Sequence, residues 1–241
     1  MRIIKQPEEI TAIRKAIKIT EDAIKETVRP SKLPKYNFEY EIEASVTKGM
    51  RFRGARGHAF DPIVAAGINA CTLHNVSNES ELNKRDLVVI DVGAEYENYA
   101  ADITRTYSLS TKPSKRQKDV YAAVKDTQEY AISLLMPGKL LKEYEEQIES
   151  YMGEKLRSLG LIKSINRENV RRYFPHATSH FLGLNVHDIG EYDKPLQPGA
   201  VITAEPGIYI KEEAIGVRIE DDVLITAKGN QVLSTRLPKN L

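Results

Sequence analysis

The run LVVIDVGAEYENYAADITRTY, residues 87–107, has the apolar pattern and central turn of a buried β-hairpin. It nevertheless carries Asp91 behind four apolar residues and Asp102 between Ala101 and Ile103. A buried carboxylate is costly unless it is paired or bound to a cation. With the turn at Glu97-Asn98, Asp91 faces Thr104 and Gly93 faces Asp102, so the two acids share a face as diagonal neighbours. Anions that close repel, and one of them would protonate. A dication between them removes both difficulties. Alone, the pair admits a plainer reading: one Asp at a turn or edge, the other paired with Arg105 or a lysine.

Two later acids repeat the anomaly. Glu205 in VITAEPGIY and Glu220 in GVRIEDDVL each read as centred in an apolar strand, with Arg218 on the face of Glu220 and Asp221 on the other. Glu220 with Arg218 is by itself compatible with a structural ion pair. Of five histidines, three fall in HATSHFLGLNVHD: His176, His180 and His187. Four carboxylates with an imidazole form a mostly hard, oxygen-rich donor set. It suits adjacent Mn²⁺, Co²⁺ or Fe²⁺ ions, with Zn²⁺ also admissible, better than a thiolate-based structural zinc. Ions roughly 3.5–4 Å apart can share a water, lower its pKa and clamp a tetrahedral intermediate, so hydrolysis is the reaction class expected.

The elements that must position these residues follow from periodicity. Residues 7–28 show isoleucines and alanines at helical spacing behind Pro7. The two prolines of RPSKLPKYN break that helix, and a second is expected over 38–50, ending at Gly49. Residues 54–81 read as strand and loop. Helices are expected over 114–135, closed by Pro137-Gly138, and again up to Gly160. Strands follow the histidine loop. The order helix, helix, strands occurs twice, which predicts an internally duplicated α+β domain.

Composition narrows the function classes. Lys plus Arg number 35 against 34 for Asp plus Glu, which gives no electrostatic reason to expect nucleic acid or a membrane surface as partner. The cluster Arg51, Arg53 and Arg56 reads as a solvated turn. Cys71 is the only cysteine, which excludes a disulfide framework and predicts a reducing, cytoplasmic location; it reads as a small half-buried side chain and not as a nucleophile. No apolar run has the length of a membrane span or signal segment.

Together, HNVSNES, DLVVIDVGAEYENYAADITRTY, HATSHFLGLNVHD, ITAEPGIYI and GVRIEDDVLIT resemble the Xaa-Pro aminopeptidase and prolidase branch of the pita-bread metallopeptidases, from about Lys5 to Lys239. The resemblance implies the α+β pita-bread fold, with duplicated helices over a curved antiparallel sheet. It implies two metal ions held by Asp91, Asp102, His180, Glu205 and Glu220, with Asp102 and Glu220 bridging. It makes Glu205 the proton shuttle and His187 the group that steadies the scissile carbonyl. His74, His176, Tyr209 and Arg218 match positions lining the pocket for the residue after the cut, Arg218 either binding a dipeptide carboxylate or orienting the neighbouring acids. The implied substrate is a peptide with proline in second position, and the implied cofactors are Mn²⁺ or Co²⁺, with Fe²⁺ or Zn²⁺ as alternatives.

Members of this branch usually carry a domain ahead of the catalytic one. Here Met1 is followed almost at once by KQPEEITAIRKA, which resembles the start of the catalytic domain. The expectation is therefore one catalytic domain over 1–241 with the usual N-terminal domain absent, by nature or by truncation, acting as a monomer or homodimer. Methionine aminopeptidase is the competing enzyme. A non-catalytic binding module on the same fold is the competing non-enzyme, disfavoured because all five ligand positions are filled.

Overall fold

A computed structural model describes residues 2–241. Two helices, α1 (Pro7–Thr27) and α2 (Glu39–Phe52), precede the strands β1 (Gly57–His58), β2 (Ile63–Ala66), β3 (Leu87–Val92), β4 (Ala94–Tyr96), β5 (Tyr99–Ala100) and β6 (Ile103–Ser108). The second half repeats the order with α3 (Lys115–Leu134), α4 (Leu141–Ser158), α5 (Arg167–Tyr173), β7 (Val201–Ala204), β8 (Gly207–Ile210), β9 (Ile215–Arg218), β10 (Asp221–Thr226) and β11 (Gly229–Val232). This is the α+β duplication expected from the element order.

Helix ends obey local chemistry. Ser114 caps α3 in a reciprocal pair: its hydroxyl accepts from the Gln117 N–H at 3.1 Å, and the Gln117 side chain accepts from the Ser114 N–H at 2.8 Å. Gly160, with φ +73°, turns the chain out of α4. Gly49 does not end α2, which runs on to Phe52. Its lack of a side chain serves the α1–α2 contact instead, since a Cβ there would lie 3.0 Å from that of Ala23. The short α5 has no strong apolar period and was not foreseen.

Each half contributes one bent hairpin. In the first, Asp91 pairs with Thr104 and Tyr96 with Tyr99, with Glu97 and Asn98 at positive φ in the turn. That is the register the sequence predicts. A Cβ on Gly93 would stand 1.7 Å from the Ala101 carbonyl oxygen, so only glycine lets the strands meet at the bend. In the second, Ala204 pairs with Asp221 and Gly207 with Arg218, which sets Glu205 opposite Glu220 between the two pairs. Glu205 and Glu220 therefore sit where β7 breaks to β8 and β9 breaks to β10, and not inside strands as expected. A break spares the ladder while keeping the side-chain alternation.

That alternation aims the acids. Val88, Ile90, Val92 and Ile103 pack in one core with Ile13 and Ile17 of α1, which turns Asp91 and Asp102 to the opposite face. Ile202, Ala204, Val223 and Ile225 pack in a second core with α3 and α4, which likewise turns Glu205 and Glu220 away. The odd-numbered neighbour Asp221 points back toward α3, where the Gln128 amide donates to it at 2.9 Å and Arg105 meets it at 2.6 Å.

Arg51 donates to the Ala55 carbonyl at 2.6 Å and Arg53 to Glu26 at 2.9 Å, so the basic cluster is engaged locally. Cys71 is buried, more fully than expected, and burial pushes its thiol up to about 11, which suits packing and not nucleophilic attack. Among the described residues no helix is long and apolar enough to cross a membrane.

Candidate active site

The four acids converge. One ligand atom each from Asp102, His180 and Glu220 lies within 4.8 Å of the others. His180 Nε2 is 3.3 Å from Asp102 Oδ2 and 3.4 Å from Glu205 Oε1. The segment carrying His180 runs beside β7: Thr203 N–H donates to the His180 carbonyl and Glu205 N–H to the Thr178 carbonyl, each at 2.9 Å. Helix α4 anchors that segment from behind, with Glu145 accepting from the Thr178 N–H at 2.8 Å and the Tyr144 hydroxyl 2.7 Å from that of Ser179.

The electrostatics favour a bound cation. His180 Nδ1 lies 3.2 Å from the Phe181 carbonyl oxygen, which only accepts, so Nδ1 carries the proton. Nε2 is left as the ring atom that faces the two carboxylates. Asp91 Oδ1, Asp102 Oδ1 and Glu220 Oε1 are buried without a hydrogen-bond partner among the described residues. Burial and mutual repulsion push Asp102 and Glu220 far above the usual carboxylate range, and burial lifts Glu205 to about 7 despite His180 and Arg218. Hard, orphaned oxygens with an imidazole tautomer fixed by a carbonyl are what divalent ions need.

A polar chain backs this set. Arg218 donates to Asp91 Oδ2 at 2.7 Å and to the Tyr209 hydroxyl at 2.9 Å. The Tyr209 hydroxyl lies 2.8 Å from His176 Nε2, and His176 Nδ1 lies 2.7 Å from the Ala177 carbonyl. Only one proton arrangement satisfies every member, with Tyr209 donating to a neutral His176. Burial and the Arg218 charge hold that ring down at about 3. Thr104 donates to Glu220 Oε2 at 2.6 Å, tying the hairpins together.

Residues 11–227, most of the chain, match the model of metallopeptidase family M24. The chain belongs to family M24. It is 41% identical to Xaa-Pro aminopeptidase of Haemophilus influenzae, an alignment that takes in 100% of this chain and 60% of that protein. It superposes on the structure of a putative aminopeptidase P from Bacillus anthracis with TM-score 0.93 at 37% identity, covering 99% of this chain and 56% of that one. Aminopeptidase P from E. coli with the inhibitor Pro-Leu gives 0.92 at 36%, covering 100% and 58%. This M24 chain thus spans about 60% of the length of the first of these relatives. The α+β pita-bread architecture expected from the motifs is the one observed.

In this M24 chain the donors border a cavity of about 390 Å³, together with His74, His176, His187 and Arg218. His187 stacks edge-on to His180, ring centres 4.4 Å apart, and burial lowers its pKa. Tyr209 is buried behind the cavity and reaches it only through His176 and Arg218. Sequence reading missed several wall residues, Phe60 and Asp61 among them, because FDPIV precedes a short strand and carries no spacing signal.

Proposed function

We propose that residues 1–241 form one catalytic domain of a dinuclear-metal-dependent peptidase that hydrolyses the bond between an N-terminal residue and proline, as an Xaa-Pro aminopeptidase or dipeptidase. The observation that carries this reading is His180 Nε2 facing the Asp102 and Glu205 carboxylates at 3.3 and 3.4 Å, beside buried carboxylate oxygens of Asp91, Asp102 and Glu220 without a hydrogen-bond partner among the described residues. Asp91, Asp102, His180, Glu205 and Glu220 would hold the ions. When bound, Mn²⁺ or Co²⁺, with Fe²⁺ or Zn²⁺ as alternatives, would polarise the scissile carbonyl and make water nucleophilic at neutral pH.

The protein's own groups do the rest. Glu205, with its carboxyl lifted to about 7, takes the proton of the attacking water and delivers it to the departing proline nitrogen. His187 donates to the carbonyl oxygen as negative charge develops there. His74, His176 and Arg218 border the space for the residue after the cut, with Tyr209 fixing the last two. Because Arg218 is already engaged by Asp91 and Tyr209, orienting the acids is the role favoured over binding a dipeptide carboxylate.

The similarity to named Xaa-Pro aminopeptidases supports this reading over methionine aminopeptidase. The complete donor set supports an enzyme over a binding module. Chain assembled as monomer or homodimer and loaded with Mn²⁺, Co²⁺ or Zn²⁺ is expected to cleave Xaa-Pro dipeptides or tripeptides and spare Met-Ala-Ser. Cleavage of Met-Ala-Ser with Xaa-Pro peptides left intact would replace the assignment.

A further inference from the structure

Asp61 is the one acid bordering the cavity that stands outside the five-residue donor set. It is exposed and, among the described residues, enters no hydrogen bond or salt bridge. Its backbone is nonetheless fixed on both sides. Ala59 N–H donates to the Gly93 carbonyl at 2.8 Å, and the buried Asn78 amide donates to the Pro62 carbonyl at 2.8 Å while its oxygen accepts from Val64 N–H at 2.9 Å. Two residues on, Ile63 pairs with Asp91, so Asp61 belongs to the Asp91 side of the cavity. The same cavity carries an apolar stretch of lining, Phe60, Ile63, Leu73 and Val76.

An apolar groove with a single fixed, unpaired anion is complementary to a long side chain carrying a cationic tip. The methylenes of lysine or arginine pack along apolar surface while the charge stays at its wet end. The other carboxylates of the cavity are committed elsewhere, Asp91 to Arg218 and the remainder to the donor cluster. An enzyme that releases one residue at a time needs one side-chain pocket ahead of the cut, and Phe60, Asp61 and Ile63 belong to the part of the lining not assigned to the residue after it.

We propose that Asp61 makes this pocket select peptides whose N-terminal residue, before proline, is arginine or lysine. The inference rests on the proposed Xaa-Pro activity and specifies its substrate class. Asp61 is assigned to the side chain of that residue; the α-amino group common to every substrate is the contrasting assignment that the test separates.

The test compares kcat/KM of the Mn²⁺-loaded chain for Arg-Pro-Ala, Lys-Pro-Ala, Met-Pro-Ala and Glu-Pro-Ala. A partly exposed charge pair predicts a preference of about two- to fivefold for the basic peptides over Met-Pro-Ala, shrinking with added salt, with Glu-Pro-Ala last. Asp61→Asn is expected to bring the Arg-to-Met ratio close to unity, and Asp61→Lys to favour Glu-Pro-Ala. A ratio unchanged in Asp61→Asn overturns the proposal, as does an equal loss on all four peptides, which would assign Asp61 to the α-amino group. If no Xaa-Pro peptide is cleaved, the proposed activity itself fails. Calorimetric binding of Arg-Pro-Ala against Met-Pro-Ala to wild type and Asp61→Asn then decides the role of Asp61 separately: equal affinities overturn it, and a charge-dependent difference supports it.

Discussion

Arg218 donates to Asp91 at 2.7 Å across the two hairpins, and both side chains lie almost wholly out of solvent. This ion pair is the strongest polar tie between the first half's acids and the second half's. Breaking a buried pair leaves an uncompensated charge and costs roughly 3–5 kcal/mol. Arg218→Ala should therefore lower the unfolding free energy of the metal-free chain by about that amount, measured by urea denaturation. A loss under about 1 kcal/mol would mean that Asp91 finds another partner or protonates.

Asp102→Asn separates metal function from folding. The amide keeps the shape but removes a charge from a crowded, buried set. Turnover should fall at least about 100-fold, since even outer partners of metal ligands matter by 10- to 100-fold. The metal-free variant should be as stable as wild type or more so, by about 1 kcal/mol, because the cost of holding a buried carboxyl away from water, protonated or charged, has gone. A large loss of stability without metal would show that the carboxylate serves the fold.

The metal-free chain should lose stability as pH rises. Asp102, Glu205 and Glu220 have folded pKa values raised above their unfolded values near about 4, chiefly by burial. Groups of this kind stabilise the folded state fully below the unfolded pKa, and the contribution is lost as pH climbs through the folded value, about 7 for Glu205. Thermal melts of chelator-treated protein should show a lower Tm at pH 8 than at pH 5. Mn²⁺ should raise Tm most at the higher pH, where the ligands are already deprotonated. A metal-free Tm that rises steadily over this range would contradict these shifts.

Gly93→Ala probes the bend itself. The new Cβ would stand 1.7 Å from the Ala101 carbonyl oxygen, an overlap that only strand separation relieves. Roughly 3 kcal/mol or more of destabilisation is expected. Separation at Gly93 also moves Asp102, so Mn²⁺ affinity should weaken in the folded fraction. Unchanged melting and affinity would show that the hairpin bends without needing close contact there.

Much of this site was legible in the sequence because strand alternation is a strict rule. Once the turn lay at Glu97-Asn98, the register that pairs Asp91 with Thr104 followed, and the structure keeps it. Glu205 and Glu220 announced themselves by interrupting apolar runs, yet their placement at strand breaks was hidden, since the alternation continues across a break unaltered. The function of Gly49 was misread because glycine ends helices and also lets them approach, and sequence spacing does not distinguish the two. The Tyr209–His176 hydrogen bond joins residues 33 apart in sequence and depends on how a loop packs on β8, which no local pattern encodes. Asp61 was invisible for the same reason.

The central claim is that five side chains from two hairpins and one loop hold a pair of divalent ions. Calorimetric titration of chelator-treated chain with Mn²⁺ at pH 8 tests it most directly. The account predicts two ions per chain, with the stoichiometry falling in Asp102→Asn and Glu220→Gln, each of which removes a proposed ligand. One ion per chain or none in the wild type would contradict it.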